Sequence, residues 1–348
     1  MLWKGIPQSV ASSVQVSISL LRALTSAVER EGATRSQYLA RAGIDPELVE
    51  PDDARLDIKT YLRALDAAID VTQNPAFGLR LGQHATSAMY HVVAHMAEIA
   101  KTLGDAIDNI LRYSGILAVG FEPCLVDLRE QGLVALRLPY LVGESSAVRL
   151  TAEFALTGFM RLLRYYLGEQ VLPTSVCFAY SAPAYADEYR GVFGGTECFG
   201  QPFTEVRFPR EWLDRSQLNA NRDLYTLLQT HAELELSRLS HNTSVVQRVE
   251  RVLASSKPRE LPSMETVART LEISARTLAR KLQAQGVSYA QLVEERRSSA
   301  AKCLLAGGRH SIQEVASALG FADTPAFHKA FRRWTGLTPK QYIASVMR

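Results

Sequence analysis

Four cysteines in 348 residues, at positions 124, 177, 198 and 303, share no metal-ligand spacing. That argues against a structural zinc site and against a disulfide-stapled secreted fold, and it fits reduced, packed thiols in a cytoplasmic protein. No apolar run approaches the ~18 residues that a bilayer span needs. The first twenty residues interleave Gln8, Gln15 and several serines with the apolar positions, unlike a cleaved signal peptide. There is no low-complexity tract. Also missing are a glycine-rich phosphate loop ending in Lys-Ser/Thr, a dinucleotide fingerprint and a strained serine elbow. The chain therefore reads as a non-enzyme with no cofactor and no resident metal. His91 and His95 stand four apart, a spacing that could present two metal ligands, but no glutamate adjoins His91 and no third ligand is evident. Ordinary helix-face histidines are the competing reading.

A net charge of +3 looks bland until it is divided along the chain. Residues 243–348 hold 17 Lys/Arg against 8 Asp/Glu, a net of +9, whereas residues 1–242 hold 22 against 28, a net of −6. A basic nucleic-acid module joined to an acidic body has this asymmetry. The length allows two or three domains, each with its own core.

The basic region contains one pattern twice. Val267-Ala268 recurs as Val315-Ala316, Leu271 as Leu319 and Ile273 as Phe321, at an offset of 48. Leu278 then recurs as Phe327 and Leu282 as Phe331, at 49. Gly286-Val287-Ser288 returns as Gly336-Leu337-Thr338 and Gln291 as Gln341, at 50. One residue enters each turn while the helical spacing between turns is kept, the behaviour of two helix-turn-helix units, at 263–285 and 311–334. Ser263, Ser274, Ser311 and Asp323 stand at N-cap positions, and Pro325 fits a first helical turn. In the second helix of the first unit Leu278 and Leu282 face inward, leaving Arg276, Thr277, Arg280 and Lys281 outside. In the second unit Phe327, Phe331 and Trp334 face inward, leaving Thr324, His328, Lys329 and Arg332. Arginine can grip guanine O6 and N7 with two hydrogen bonds. Arg269 and Arg333 are expected on phosphates. A helix over 288–305, closed by Gly307-Gly308, should join the units and hold them about one DNA turn apart, ~34 Å. The competing reading is an ordinary helical bundle.

Ahead of this module, residues 1–220 alternate helical and strand patterns. Val16, Leu20, Leu24 and Val28 form a helical stripe, Thr34 can cap a short helix stopped by Gly43, and helices are predicted at 58–71, 89–99, 105–117 and 145–167. A hairpin about Gln131-Gly132 and strands at 174–180 and 205–208 complete an α+β domain of helices with a small, mainly antiparallel sheet. Arg80, Arg112, Arg161 and Arg164 could anchor an acidic ligand or bridge helices. Residues 221–242, rich in leucine, read as an amphipathic linker helix that packs on the body or contributes to a dimer face. An all-α DNA-binding domain, 243–348, follows it.

Gly320-Phe321, Phe327, Phe331-Arg332-Arg333-Trp334, Gly336-Leu337-Thr338-Pro339 and Tyr342 closely resemble the signature of the AraC/XylS family of bacterial transcription regulators. The likeness covers about 245–345. More loosely, Phe77 to Gly82, Leu103 to Ala106, Arg112-Tyr113 and Phe199 to Phe203 running into Phe208-Pro209 resemble the ornithine-utilisation-regulator branch. The resemblance implies an effector-binding or oligomerisation domain at 1–220, distinct from the sugar-binding β-barrel of the family's namesake. It also implies a homodimer, double-stranded promoter DNA and RNA polymerase as partners, and a small-molecule effector; a membrane is not among them. By the same resemblance, base-reading positions fall on Arg276, Ala279 and Arg280, then on Thr324, Pro325, His328 and Lys329. Ala279 and Pro325 depart from the polar residues often found there. A DNA-binding enzyme of alkyl-transfer type is the alternative from another class. It would need an activated cysteine with basic neighbours, and only Cys303, after Lys302, has one beside it in sequence. A body that only dimerises is the third reading.

Overall fold

The computed structural model describes residues 14–346, apart from 52–53, 120, 122, 139–144, 218–219, 243–244, 255, 257 and 307–310. The helix-closing role expected of Gly307-Gly308 lies outside the described residues. Contacts divide the chain into two compact units, Met1–Leu239 and Ser240–Arg348.

In chain order the first unit runs β1 (Gln15–Ser17), α1 (Ile18–Arg30), α2 (Arg35–Ala42), β2 (Arg55–Asp57), α3 (Ile58–Thr72), α4 (Phe77–Gln83) and α5 (His91–Ile99). It continues with α6 (Leu103–Leu117), β3 (Ala118–Val119), β4 (Cys124–Leu128), β5 (Leu133–Leu138), α7 (Ser146–Leu167) and β6 (Ser175–Cys177). Then come α8 (Ala186–Phe193), β7 (Glu197–Cys198), β8 (Thr204–Pro209) and α9 (Arg222–Asn242), whose last residues pass the unit boundary. The five-stranded sheet has the order β4-β5-β8-β6-β7, open at both ends and antiparallel except for β6 with β7. The hairpin pairs Val126 with Ala135 and Leu128 with Leu133, the register expected of a turn at Gln131-Gly132. This is an α+β domain, and its sheet is not a barrel.

Local chemistry explains most boundaries. Thr34 and Gln37 form a reciprocal capping box at the start of α2, and Gly43 closes that helix in the left-handed conformation. Thr102 and Asp105 do the same at the start of α6. The structure departs from sequence expectation where elements are shortest. A three-stranded sheet, β2-β1-β3, and the helices α4 and α8 were not anticipated. The strand predicted at 174–180 is regular only over Ser175–Cys177, although the Phe178 amide still donates to the Cys198 carbonyl. The helix predicted at 89–99 begins at His91, whose φ of 59° marks a break from the preceding 3-10 turn.

The 22-residue helix α7 is the spine of this unit. Ala147, Leu150 and Phe154 pack into one core with α1 and α3, while Val148, Leu156, Met160 and Leu163 pack into a second beneath the five-stranded sheet. Helix α4 lies against it so closely that a Cβ at Gly78 would stand 2.8 Å from the Leu150 carbonyl, and one at Gly82 2.5 Å from the Thr157 Cβ. Glycines four apart on α4 thus meet Glu153 and Thr157, also four apart, on α7. Glu153 is fully buried, with Tyr185 and Tyr189 donating to Oε1 at 2.8 and 2.5 Å. Burial pushes its carboxyl up to about 7, against the lowering effect of those tyrosine donors.

Helix α9, expected as a linker, buries Ala232 among Val92, Val93, Met96, Tyr113 and Ile116 of α5 and α6. Polar ties flank that seam: Tyr225 to Asn109 at 2.7 Å and Arg112 to Glu233 at 3.1 Å. An adjacent stripe is left open, with Leu224, Leu227 and Leu234 at 42%, 67% and 55% exposure.

Among the described residues the second unit has helices and no strand: α10 (Val245–Ala254), α11 (Met264–Thr270), α12 (Ala275–Ala284), α13 (Tyr289–Ala306), α14 (Ile312–Ala318), α15 (Thr324–Thr335) and α16 (Pro339–Val346). It has two cores. Val249, Leu253, Val267, Leu278, Leu282 and Leu292 build the first; Ala301, Leu305, Val315, Leu319, Phe327 and Phe331 build the second.

Candidate nucleic-acid interface

In the first helix-turn-helix unit, α11 and α12 start at Ser263 and Ser274, whose hydroxyls accept from the Thr266 and Thr277 amides at 3.3 and 3.1 Å. The turn between them passes through Glu272 at φ 57°. Burial of Leu278 and Leu282 sets the rotation of α12, so the opposite side carries Arg276, Arg280 and Gln283, all exposed. Lys281 and Ala279 are exposed on the two flanks. Thr277 is half-buried, its hydroxyl 2.9 Å from that of Ser274, so it serves the cap.

The second unit repeats the plan with other parts. Ser311 and Glu314 form a capping box before α14. Gly320, at φ 79°, makes the turn, and Asp323 accepts from the Ala326 amide at 2.7 Å to cap α15. Phe327, Ala330 and Phe331 are buried. Pro325, Lys329 and Arg332 are exposed on the opposite side, and Thr324 and His328 are half-buried. At the offset of 49 that relates the two helices, Arg276 corresponds to Pro325, Arg280 to Lys329 and Gln283 to Arg332. Gln283 was not among the sequence candidates, although that offset pairs it with Arg332.

Helix α13 joins the two. Its 18 residues span about 27 Å. Leu292 is buried in the first core, whereas Ala301 and Leu305 are buried in the second. Each end is fastened to a different unit by apolar packing, so the spacing of α12 and α15 is set by a rod and not by a tether. Of the two arginines expected on phosphates, Arg269 is exposed. Arg333 is tied in an ion pair to Glu294 of α13, which adds a polar fastening between rod and second unit.

The unit Met1–Leu239 holds a partly open cavity of about 580 Å³, within the range of ligand sites. Its walls include Val16, Leu20, Ile58, Val93, Ile110 and Phe154. Three of the four arginines singled out in sequence are engaged: Arg80 with Glu188 at 3.8 Å, Arg112 with Glu233, and Arg164 with the Val192 carbonyl at 2.6 Å. Arg161 lines the cavity and, among the described residues, makes no hydrogen bond or ion pair. Sequence alone could not rank these four, because their partners lie far away along the chain.

His91 is 3.5 Å from Glu235, and His95 is 3.8 Å from Glu98. Among the described residues no cluster of three metal-ligating side chains occurs, and no helix is long and apolar enough to cross a membrane. Cys124 and Cys198 are exposed; Cys177 is buried, and burial pushes its thiol up, away from the thiolate.

Comparison with known proteins matches residues 32–217 to the family model described as the N-terminal arabinose-binding domain of AraC transcription regulator. Residues 267–345 match a helix-turn-helix domain model. Over 331 residues the chain is 30% identical to the ornithine utilization regulator of Pseudomonas aeruginosa, covering 94% of this chain and 96% of that one. It is 27% identical over 334 residues to the HTH-type transcriptional regulator VirS of Mycobacterium tuberculosis, covering 94% and 97%. Among solved structures, the transcriptional regulator CdpR from Pseudomonas aeruginosa aligns with a TM-score of 0.42 at 24% identity, over 89% of this chain and 96% of that one.

Proposed function

Because the chain belongs to the AraC family of DNA-binding transcription regulators, we propose that it inserts α12 and α15 into successive major grooves on one face of promoter DNA. The observation that carries this reading is the rod. Two helices with cationic outer faces are fastened to opposite ends of α13 by separate apolar cores. Arg276, Arg280 and Gln283 contact bases from α12, flanked by Thr277 and Lys281; Lys329, Arg332, Thr324 and His328 serve from α15. Arg269 grips phosphate, and Arg333 braces the second unit through Glu294 instead. Phosphate contacts position such a protein, and base contacts specify the sequence.

Footprinting of the full chain on its own promoter region tests the reading. Two protected stretches about one helical turn apart are expected. A single short footprint that survives truncation after residue 309 would falsify it.

The protein acts as a homodimer in the cytoplasm, contacting RNA polymerase when bound. The dimer is supported by Leu224, Leu227 and Leu234, which leave an apolar stripe on α9 beside its packed seam. The first unit binds a small effector, and the cavity supports this part of the reading.

A further inference from the structure

The cavity has a chemical bias. Most of its wall is aliphatic or aromatic, and several of its polar side chains are already engaged. Thr151 donates to the Ala147 carbonyl at 2.7 Å, Ser114 donates to the Leu111 carbonyl at 3.2 Å, and the Ser87 hydroxyl is bonded to Glu98. Glu98 also has His95 beside it, and the second carboxylate of the wall, Glu169, is exposed.

Of the wall's other donors, three lie on or against one stretch of α7. The Thr157 hydroxyl is buried without a partner in a residue only 1% exposed. The Tyr90 hydroxyl is likewise buried without a partner. Its ring stacks on Phe154 with centroids 5.2 Å apart, which lays the phenol along α7. The oxygen comes so close to Gly158 that a Cβ there would stand 2.3 Å from it, so glycine at 158 is what admits it. Burial holds this phenol well above its ordinary pKa, so it stays a neutral donor. Arg161, one helical turn beyond Thr157 on the same side, is close enough to act electrostatically on Tyr90. Buried donors without acceptors cost free energy unless something supplies the acceptor. Two hydroxyls and a guanidinium call for an anionic oxygen group, while the rest of the wall calls for hydrocarbon.

We propose that this cavity binds an elongated, largely apolar carboxylic acid, with its tail among the aliphatic and aromatic side chains and its carboxylate accepting from Arg161, Tyr90 and Thr157. The proposal rests on the effector reading above and names the class of effector. An amino acid such as ornithine also carries a carboxylate, but its short chain ends in an ammonium group that an aliphatic wall cannot solvate.

The test is calorimetric titration of the full chain, without DNA, using decanoate, decan-1-ol and ornithine. DNA binding by the same preparation is measured separately. Decanoate should bind at least about tenfold more tightly than decan-1-ol, the worth of a charge-assisted hydrogen bond. Arg161→Ala, at an exposed position, should erase that preference and leave decan-1-ol unchanged. Tyr90→Phe should weaken decanoate alone, by several-fold. Equal binding of acid and alcohol, a preference that survives Arg161→Ala, or binding of ornithine instead overturns the proposal. Failure of all three ligands on protein that still binds its promoter overturns the ligand class while leaving DNA recognition standing.

Discussion

The two helix-turn-helix units share a plan but not a chemistry. The first has a core of Leu278 and Leu282 and makes its turn through Glu272, a residue with a Cβ held at φ 57°. The second has a core of Phe327 and Phe331 and makes its turn through Gly320, which bears no such strain. Their outer faces differ in the opposite sense. The first presents Arg276 and Arg280, two planar forks suited to bidentate contacts; the second offers Pro325 and Lys329 at the matching places, one without a donor and one a point charge. At the third matching place the order reverses, Gln283 against Arg332, so the two units carry their guanidinium forks at different positions on one plan.

Core truncation should show the largest effect. Phe331→Ala is expected to cost about 3–5 kcal/mol and Leu282→Ala about 2–5 kcal/mol, read from urea unfolding of the full chain. If Leu282→Ala proved the costlier by a clear margin, the ranking of the two cores would be reversed. Next come the outer faces. Arg280→Ala should lose about 1–3 kcal/mol of DNA affinity and relax the preference at one base pair. Lys329→Ala should relax the preference at its own base pair less sharply, because a point charge is a less selective reader than a planar fork. Measuring both variants on a panel of single-base-substituted sites compares them; a base-specific loss with Lys329→Ala as large as that with Arg280→Ala would break the contrast.

The turns offer a finer comparison. Gly320→Ala should destabilise by about 1–2 kcal/mol, since a Cβ in the left-handed region is strained. Here it would also meet the Arg259 carbonyl at 3.1 Å. Glu272→Gly should stabilise the first unit by up to about 1 kcal/mol, relieving the same strain. Thermal unfolding of both variants checks the signs; destabilisation by Glu272→Gly would mean that the glutamate is held there by contacts worth more than its strain. The caps should matter least. Ser274→Ala and Asp323→Ala are each expected to cost about 1 kcal/mol, measured by the same melts.

The second unit was readable in sequence because its determinants are local. A cap residue, a stripe at helical spacing and a glycine lie within a dozen positions of one another, and the pattern occurs twice. The first unit was readable only where it too is local, as in the capping box of Thr34 and Gln37 or the hairpin about Gln131-Gly132. Strands of two or three residues, such as Ala118–Val119, carry too little alternation to be seen, and Gln15–Ser17 finds its partners forty and a hundred residues away. The glycines of α4 stood in view, but their meaning lies in Glu153 and Thr157 of another helix. The same holds for the cavity: Tyr90 and Arg161 become neighbours only once α7 is in place.

The rod has one more consequence, for the DNA. On the two-groove reading, a base pair added between the half-sites turns the second groove by about 35° and moves it by about 3.4 Å. A residue added within α13 turns the second reader by about 100° and moves it by only about 1.5 Å. Neither step can cancel the other. Binding sites for this protein should therefore hold their internal distance fixed, and natural variants with a lengthened spacer should be silent instead of merely weak.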